Sequence, residues 1–400
     1  MVTQGMLGGT RVLDLTRFVA GSQSTALLAA MGAEVIKVEI PPGDPYRRQG
    51  IERTGGESAL FVSLNSGKRS LAIDFRTAAG RAALEKVLAS CDILMENSRP
   101  GSLAAHELDW KSVHARFPAL VYGSISGYGD VGPDAAKGGF DLILQAESGI
   151  MSVTGTTESG PVKVGAPLLD VGAGLSCAVG VLAACIERQR TGTGRLISSS
   201  LLEFALTGLG TIAAEVLVSG RAPGLLGTHS PTFAPYGGFR TADGWLVLAG
   251  AGSEDLWRRA CSAMGLDRLR EDVRFANNAR RVANRDELTR EIELALSGGS
   301  TAHWLAEFER AGVPATQVRD VAQTLSSAQV AALGQVQRLG QLHDRGYRLV
   351  GPPIRIDHEP LTYPAPAPAL GSDTTAILTE AGLSQTQIGE LISQGVAVAP

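Results

Sequence analysis

The first hundred residues alternate short apolar runs with longer stretches of helix-forming composition. Residues 11–15 (RVLDL) and 33–38 (AEVIKV) read as strands, and residues 22–31 between them read as a helix. That is one βαβ unit. A second follows, with a strand at 70–74 (SLAID), a helix from about 77 to 89, and a strand at 92–96 (DILME). Such alternation predicts an α/β fold with a parallel sheet covered by helices, in which ligands approach the carboxyl ends of the strands. Residues 120–129 (LVYGSISGYG) continue the pattern with a strand ending in glycines, and the apolar, alanine-rich stretch 172–189 reads as a helix running into the polar stop RQRTGTGR.

Past residue 224 the composition changes to prolyl and glycyl, with a hairpin-like region around Asp243 and Gly244. The expected organisation is a large domain over 1–200, a linker over 201–225, a small domain over 226–325, and a segment 326–400 that returns to the large domain. In that tail RLVGPPIRI carries strand signals, and the prolines of PAPAPALG favour an extended path over the first domain or over a partner chain. A chain of 400 residues exceeds what one hydrophobic core ordinarily supports, so two domains are the natural expectation. With 36 basic against 40 acidic residues, the charge is too even for a dedicated nucleic-acid binder, and an anionic ligand would need a local basic cluster. The four cysteines, Cys91, Cys177, Cys185 and Cys261, form no CxxC pair and no metal-ligand spacing, so no metal is expected. The chain shows no signal-peptide pattern, and no uninterrupted apolar run approaches the ~20 residues needed to span a bilayer; no membrane association and a cytoplasmic location are expected.

The stretches RVLDLTRFVAG, GAEVIKVE, NSGKRSLAIDF, DILMENSRPG, SISGYG, GGFDLILQAESGIMSVTG, APLLDVGAG, RQRTGTGR and AGVPATQV, taken in this order, resemble the class III CoA-transferase family, the CaiB/BaiF group of formyl-CoA transferase, to which the α-methylacyl-CoA racemases are related. The resemblance covers nearly the whole chain. It implies a Rossmann-like large domain, a smaller α+β domain, and a homodimer of two protomers threaded through each other like linked rings. It also implies coenzyme A and acyl-CoA as substrates, a small carboxylic acid as partner, and no prosthetic group.

In that family the nucleophile is an aspartate before a glycine-rich helix start, the place of Asp170 in APLLDVGAG. A carboxylate with a reference pKa near ~3.9 is ionised at neutral pH and can attack a thioester without a general base. Gly172 and Gly174 beside it are candidates for leaving backbone amides open to an oxyanion, and Gly250 and Gly252 in LAGAGSED match the place where some members of the family carry a longer glycine-rich loop covering the site. On spacing alone a helix N-cap is the stronger reading of Asp170, and the surrounding pattern reverses that order. Asp141 matches an acidic position that shapes the active site, and its plain alternative is a turn carboxylate. Before it stands Phe140, where the racemases need a histidine to move the α-proton; phenylalanine exchanges no proton. By position in the pattern, Arg17, Phe18 and Ala20 would lie along the pantetheine arm, and Ile73, Arg76, Asn97 and Ser98 would border adenine and phosphates. Arg47, Lys68, Arg69, Arg99 and Lys137 are further cationic candidates, with Arg48 beside Arg47. Val19 replaces the active-site glutamine of formyl-CoA transferase, and Ile40 and Ala105 replace two of its nucleotide-binding arginines. The alternatives are a racemase-like enzyme and a non-catalytic CoA-binding subunit. An NAD-dependent oxidoreductase lacks its GxGxxG after the first strand, and a serine hydrolase lacks its GxSxG elbow.

Overall fold

The structure, a computed structural model, describes residues 5–54, 57–339 and 347–400. The chain forms two compact units. The first comprises the residues up to Ser148, Val164–Gly210 and Ala328–Pro400; the second comprises Gly149–Lys163 and Thr211–Ser327. Two features depart from the expected layout. Residues 149–163, placed by composition in the large domain, belong to the second unit. The expected linker is mostly helix, Leu201–Ser219, interrupted at Gly210, whose φ of 45° and ψ of −112° leave the helical region and suit a residue without Cβ.

In the first unit, strands β1 (Arg11–Asp14), β2 (Glu34–Glu39), β3 (Arg69–Ile73), β4 (Ile93–Glu96), β5 (Val121–Ser126) and β6 (Leu196–Ser200) form one parallel sheet in the order β6-β5-β4-β1-β2-β3. This is the doubly wound order, and its direction of winding reverses between β1 and β4. The C-terminal strand Ala397–Val398 pairs antiparallel with β3 and covers that edge. Val12, Leu13, Ile36 and Leu94 have no solvent exposure, as expected of parallel strands covered on both faces. Helix α1 (Ala20–Ala30) buries every residue except Gln23. It packs along α3 (Leu168–Thr191), where a Cβ on Gly174 would stand 2.3 Å from the Ala20 carbonyl oxygen; the glycine is what allows this close approach. A short helix, α2 (Asp141–Glu147), lies before α3 in the chain.

Beneath the carboxyl ends of β1 and β2 lies a cluster of buried charges. Lys68 Nζ reaches Asp14 Oδ2 at 2.9 Å, Asn65 Oδ1 at 2.8 Å and the Ser22 carbonyl at 3.0 Å. Lys37 Nζ donates to the Thr16 carbonyl and pairs with Asp44 Oδ2, both at 3.0 Å. Arg47 makes a two-pronged contact with Glu39, at 2.7 Å on each arm, and donates to the Pro368 carbonyl of the extended prolyl segment.

The second unit carries the hairpin β7 (Tyr236–Arg240) and β8 (Trp245–Ala249), closed by a turn at Thr241–Gly244, with β9 (Ala315–Gln317) antiparallel to β8. Helices pack on it around Trp257, Phe275 and Phe308. Arg281 is fully buried there, paired with Glu254 at 2.8 Å and seated over the Trp257 ring.

By length and composition alone, α3 and Leu201–Ser219 could each cross a membrane. Helix α3, however, buries Leu169, Ala173, Cys177 and Val181 within the first unit.

Removing one member of a buried pair strands the other's charge, at a cost of about 3–5 kcal/mol. Lys68→Ala is therefore expected to destabilise the protein by that amount in urea unfolding, and Asp14→Asn combined with Lys68→Met to recover part of it. Unfolding midpoints equal to the parent for the single variant would contradict this account.

Candidate active site

In a doubly wound sheet the natural ligand crevice lies outside the strand ends where the winding reverses. Here those ends are the loop after β1, carrying Arg17 and Phe18, and the loop after β4, carrying Asn97, Ser98 and Arg99. Asn97 joins the two: its Oδ1 accepts from the Arg17 N–H at 2.8 Å and its Nδ2 donates to the Arg17 carbonyl at 2.7 Å. The next residue, Phe18, has a φ of 60°. That left-handed conformation costs a bulky side chain of order 1–3 kcal/mol, so the surroundings must impose it.

A cavity of about 820 Å³ opens along this crevice. The β1 loop contributes Arg17 and Phe18 to its wall and the start of α1 contributes Ala20, the β4 loop contributes Asn97, Ser98 and Arg99, and Lys137 and Asp170 border it as well. Gly127 and Gly139 also face it, in direct backbone contact: a Cβ on either would stand 2.6 Å from the other's Cα. A second, smaller cavity of about 190 Å³ shares Arg17 and Ser98 and adds Arg76.

Asp170 is not a residue preceding its helix, as expected from sequence. Helix α3 begins at Leu168, so Asp170 lies within the first turn, and the N-cap position is Pro167, which has no side-chain acceptor. The cap comes from Asp141 instead. Its Oδ2 accepts from the Leu169 N–H at 2.8 Å and from the Asp170 N–H at 3.2 Å. Gln145, buried on α2, donates to the other Asp141 oxygen and accepts from the Val164 N–H at 2.8 Å. The helix N-terminus favours an anion at Asp170. Burial and the adjacent Asp141 carboxylate oppose it more strongly, and together they push the Asp170 carboxyl up to about 7. At neutral pH Asp170 is therefore about half ionised, and the expectation of full ionisation is corrected.

The other predicted residues divide between those held away from the cavity and those that reach it. Arg47 is buried against Glu39 and cannot turn to a phosphate without stranding that carboxylate. Lys68 is likewise committed to Asp14, and Arg69 to Glu34 and Glu380. Arg48 donates to the Pro42 carbonyl at 2.7 Å. Ile73 is fully buried in β3 and presents no surface to a nucleotide. Lys137 reaches the cavity while paired with Asp134 at 2.7 Å, and Arg76 is paired with Asp74. Arg17 and Arg99 are exposed at the cavity with no side-chain partner among the described residues. Gly172 and Gly174 are packing positions: a Cβ on Gly172 would stand 2.0 Å from the Phe204 ring. Gly250 and Gly252 fall in the second unit. The sequence reading missed Tyr46, which lines the cavity, and Gln145, which has no local motif to mark it.

Residues 7–374 match CoA-transferase family III. The chain is 34% identical over 392 residues to the succinyl-CoA:glutarate CoA-transferase of Mus musculus, covering 98% of this chain and 90% of that one. It is 35% identical to the succinate–glutarate CoA-transferase of Agrobacterium fabrum, covering 94% and 95%. A CaiB/BaiF family protein from Brucella suis has the same fold, with a TM-score of 0.84, 33% identity, and coverage of 95% and 100%.

A carboxyl whose folded-state pKa lies above its unfolded value opposes folding once ionised. The penalty is absent below about pH 4, grows up to about pH 7 and is complete above it. Asp170→Asn removes it, so the variant is expected to melt higher than the parent at pH 8, by about 1–3 kcal/mol at about 1.4 kcal/mol per pH unit after discount for partial exposure. The gap should shrink as pH falls toward 4. A constant gap across that range would mean that the raised pKa is not a property of the folded chain.

Proposed function

The chain belongs to CoA-transferase family III, and from that premise we propose that it moves coenzyme A between carboxylic acids with Asp170 as the covalent nucleophile. As a class III CoA-transferase it acts on an acyl-CoA and a carboxylate. The carrying observation is the placement of a carboxyl of pKa about 7 on a cavity bordered by two unpaired arginines. Close to neutrality such a group is available as an anion, and it is more basic, hence more nucleophilic, than an ordinary aspartate.

In the proposed route an Asp170 oxygen attacks the thioester carbonyl, the C–S bond breaks, and a mixed anhydride and CoA thiolate result. The thiolate then attacks the aspartyl carbonyl, giving an aspartyl-CoA thioester and releasing the donor acid. The acceptor carboxylate attacks that thioester to form a second anhydride and thiolate. The thiolate finally takes the new acyl group and frees Asp170. Asp141 holds the first turn of α3 and thereby sets both the position and the basicity of the nucleophile. Arg17 and Arg99 supply charge for the CoA phosphates or for a distal substrate carboxylate, with Asn97 and Ser98 beside them. Arg76 serves the smaller cavity, where it would have to leave Asp74 to reach a ligand.

Small dicarboxylic acids are the substrate class we favour, because the relatives are named for succinate and glutarate and because two free cations face the cavity. We further propose an intertwined homodimer. Val179 and Ile186 on α3 and Leu142 on α2 are 68%, 63% and 51% exposed, an apolar surface suited to a second copy.

Exchange of CoA between succinyl-CoA and a panel of free acids is expected to vanish in Asp170→Ala. In the parent, kcat/KM should rise about tenfold per pH unit below pH 7 and level off above it, as the carboxylate forms. Equal exchange by the parent and Asp170→Ala would remove the nucleophile assignment; uptake of deuterium at Cα of the acyl group would favour racemase chemistry.

A further inference from the structure

Attack on a thioester drives negative charge onto the acyl oxygen, and an enzyme needs a fixed hydrogen-bond donor there. The first turn of α3 does not offer one. The Leu168 and Val171 N–H groups bond to the carbonyls of Ala166 and Pro167, and those of Leu169 and Asp170 are taken by Asp141. Another wall of the cavity is therefore the place to look for the donor.

Tyr46 lies on that cavity with Asp170. Its position is fixed from several directions. The Asp44 side chain accepts from the Tyr46 N–H at 2.9 Å, Asp44 is itself paired with buried Lys37, and the next residue, Arg47, is locked to Glu39. Its ring meets that of Phe18 edge-to-face at 5.4 Å, and Phe18 follows the Arg17 backbone gripped by Asn97. The hydroxyl has no hydrogen-bond partner among the described residues. Burial and the nearby Asp170 charge raise its pKa above the ordinary phenol value, so it keeps its proton and remains a donor at working pH.

We propose that the Tyr46 hydroxyl donates a hydrogen bond to the acyl oxygen of the thioester that Asp170 attacks. As the Asp170 oxygen bonds to the acyl carbon, the carbonyl π pair moves onto that oxygen, which Tyr46 holds while retaining its own proton. The pair then returns to reform the carbonyl as the C–S bond breaks and CoA thiolate leaves. This rests on Asp170 being the nucleophile.

The test compares Tyr46→Phe, which keeps the ring against Phe18, with the parent and with Asp170→Ala. Three quantities are read: steady-state CoA exchange with succinyl-CoA, CoA affinity by calorimetry, and the rapid-quench rate of covalent adduct formation followed by mass spectrometry. Tyr46→Phe is expected to lower kcat and the adduct rate by on the order of 10²-fold, with melting temperature and CoA affinity unchanged. A kcat within threefold of the parent would overturn the proposal, as would a loss confined to KM and CoA affinity. If Tyr46→Phe loses thermal stability, Tyr46→Leu, which also loses the ring, decides: equal adduct rates in the two variants support the hydroxyl, and a much slower Tyr46→Leu assigns the effect to ring packing and overturns it. Undiminished exchange in Asp170→Ala would instead sink the nucleophile reading itself, a result distinct from any failure at Tyr46.

Discussion

The site depends on the buried charges beneath the ends of β1 and β2. Asp14, wholly enclosed, accepts from Lys68, from the Thr25 hydroxyl and from the Thr16 N–H and hydroxyl. Lys37 bridges from the sheet to the Thr16 carbonyl and to Asp44. Glu39 accepts the Asp44 N–H at 3.0 Å and both arms of Arg47. Pairs of this kind roughly break even against well-packed apolar side chains, so their consequence is one of position. They turn two irregular loops into extensions of a rigid sheet. Backbone groups of Thr16, Arg17, Asp44 and Tyr46 in those loops find side-chain partners inside the protein. Phe18 and Tyr46 can then be held in one arrangement, including the left-handed backbone at Phe18 that no local preference would select.

A second constraint follows at the start of α3. A helix beginning after a proline has no side-chain cap of its own, and its first amides need an acceptor. Asp141, 29 residues upstream of Asp170, fills that need. The same carboxylate then stands close to Asp170 and, with burial, holds its proton more tightly. One side chain thus completes the helix and tunes the carboxyl that we propose as the nucleophile. The ionised Asp170 is correspondingly a burden on the folded state, an instance of the general opposition between stability and a charged, partly enclosed reactive group.

Much of the large unit was legible because it follows from periodicity. Each strand and helix expected between residues 11 and 96 is present within two residues of its expected ends, since apolar runs buried on two faces leave a strong local signal. The reading failed where the partner of a side chain is distant in sequence. Arg47 and Lys68 look like phosphate ligands in a linear text; that their charges are consumed by Glu39 and Asp14 is a fact of tertiary pairing. Ile73 was placed by alignment to a pattern, which carries no information on whether a strand residue points into the core. The start of α3 was set four residues late because its cap lies at Asp141 and leaves no N-cap signal beside it. Tyr46 sits between Asp44 and Arg47 in GDPYRR, where the charged neighbours drew the attention that belonged to the phenol.

The chemistry that the cavity excludes sharpens what it can do. Two-base racemisation uses two groups that titrate near neutrality on opposite faces of the substrate. Among the described residues lining the main cavity there is no histidine, and the position before Asp141 is Phe140, which is 66% exposed and faces the cavity as an apolar surface. His106 belongs to the smaller cavity, against Phe75, and His229 belongs to the second unit. Asp170 is left as the wall's acid with a pKa near 7, beside Tyr46, a phenol that does not ionise there. Among the described residues lining this cavity, Asp170 and Tyr46 do not make the pair of titrating bases that two-base racemisation uses. A single titrating carboxylate with a neutral donor suits a reaction in which a carboxylate bonds to an acyl carbon and later leaves it, with no proton transferred at any step. Acyl-CoA and carboxylate exchange is such a reaction, because every nucleophile and leaving group in it, carboxylate or thiolate, is an anion that needs no proton to act.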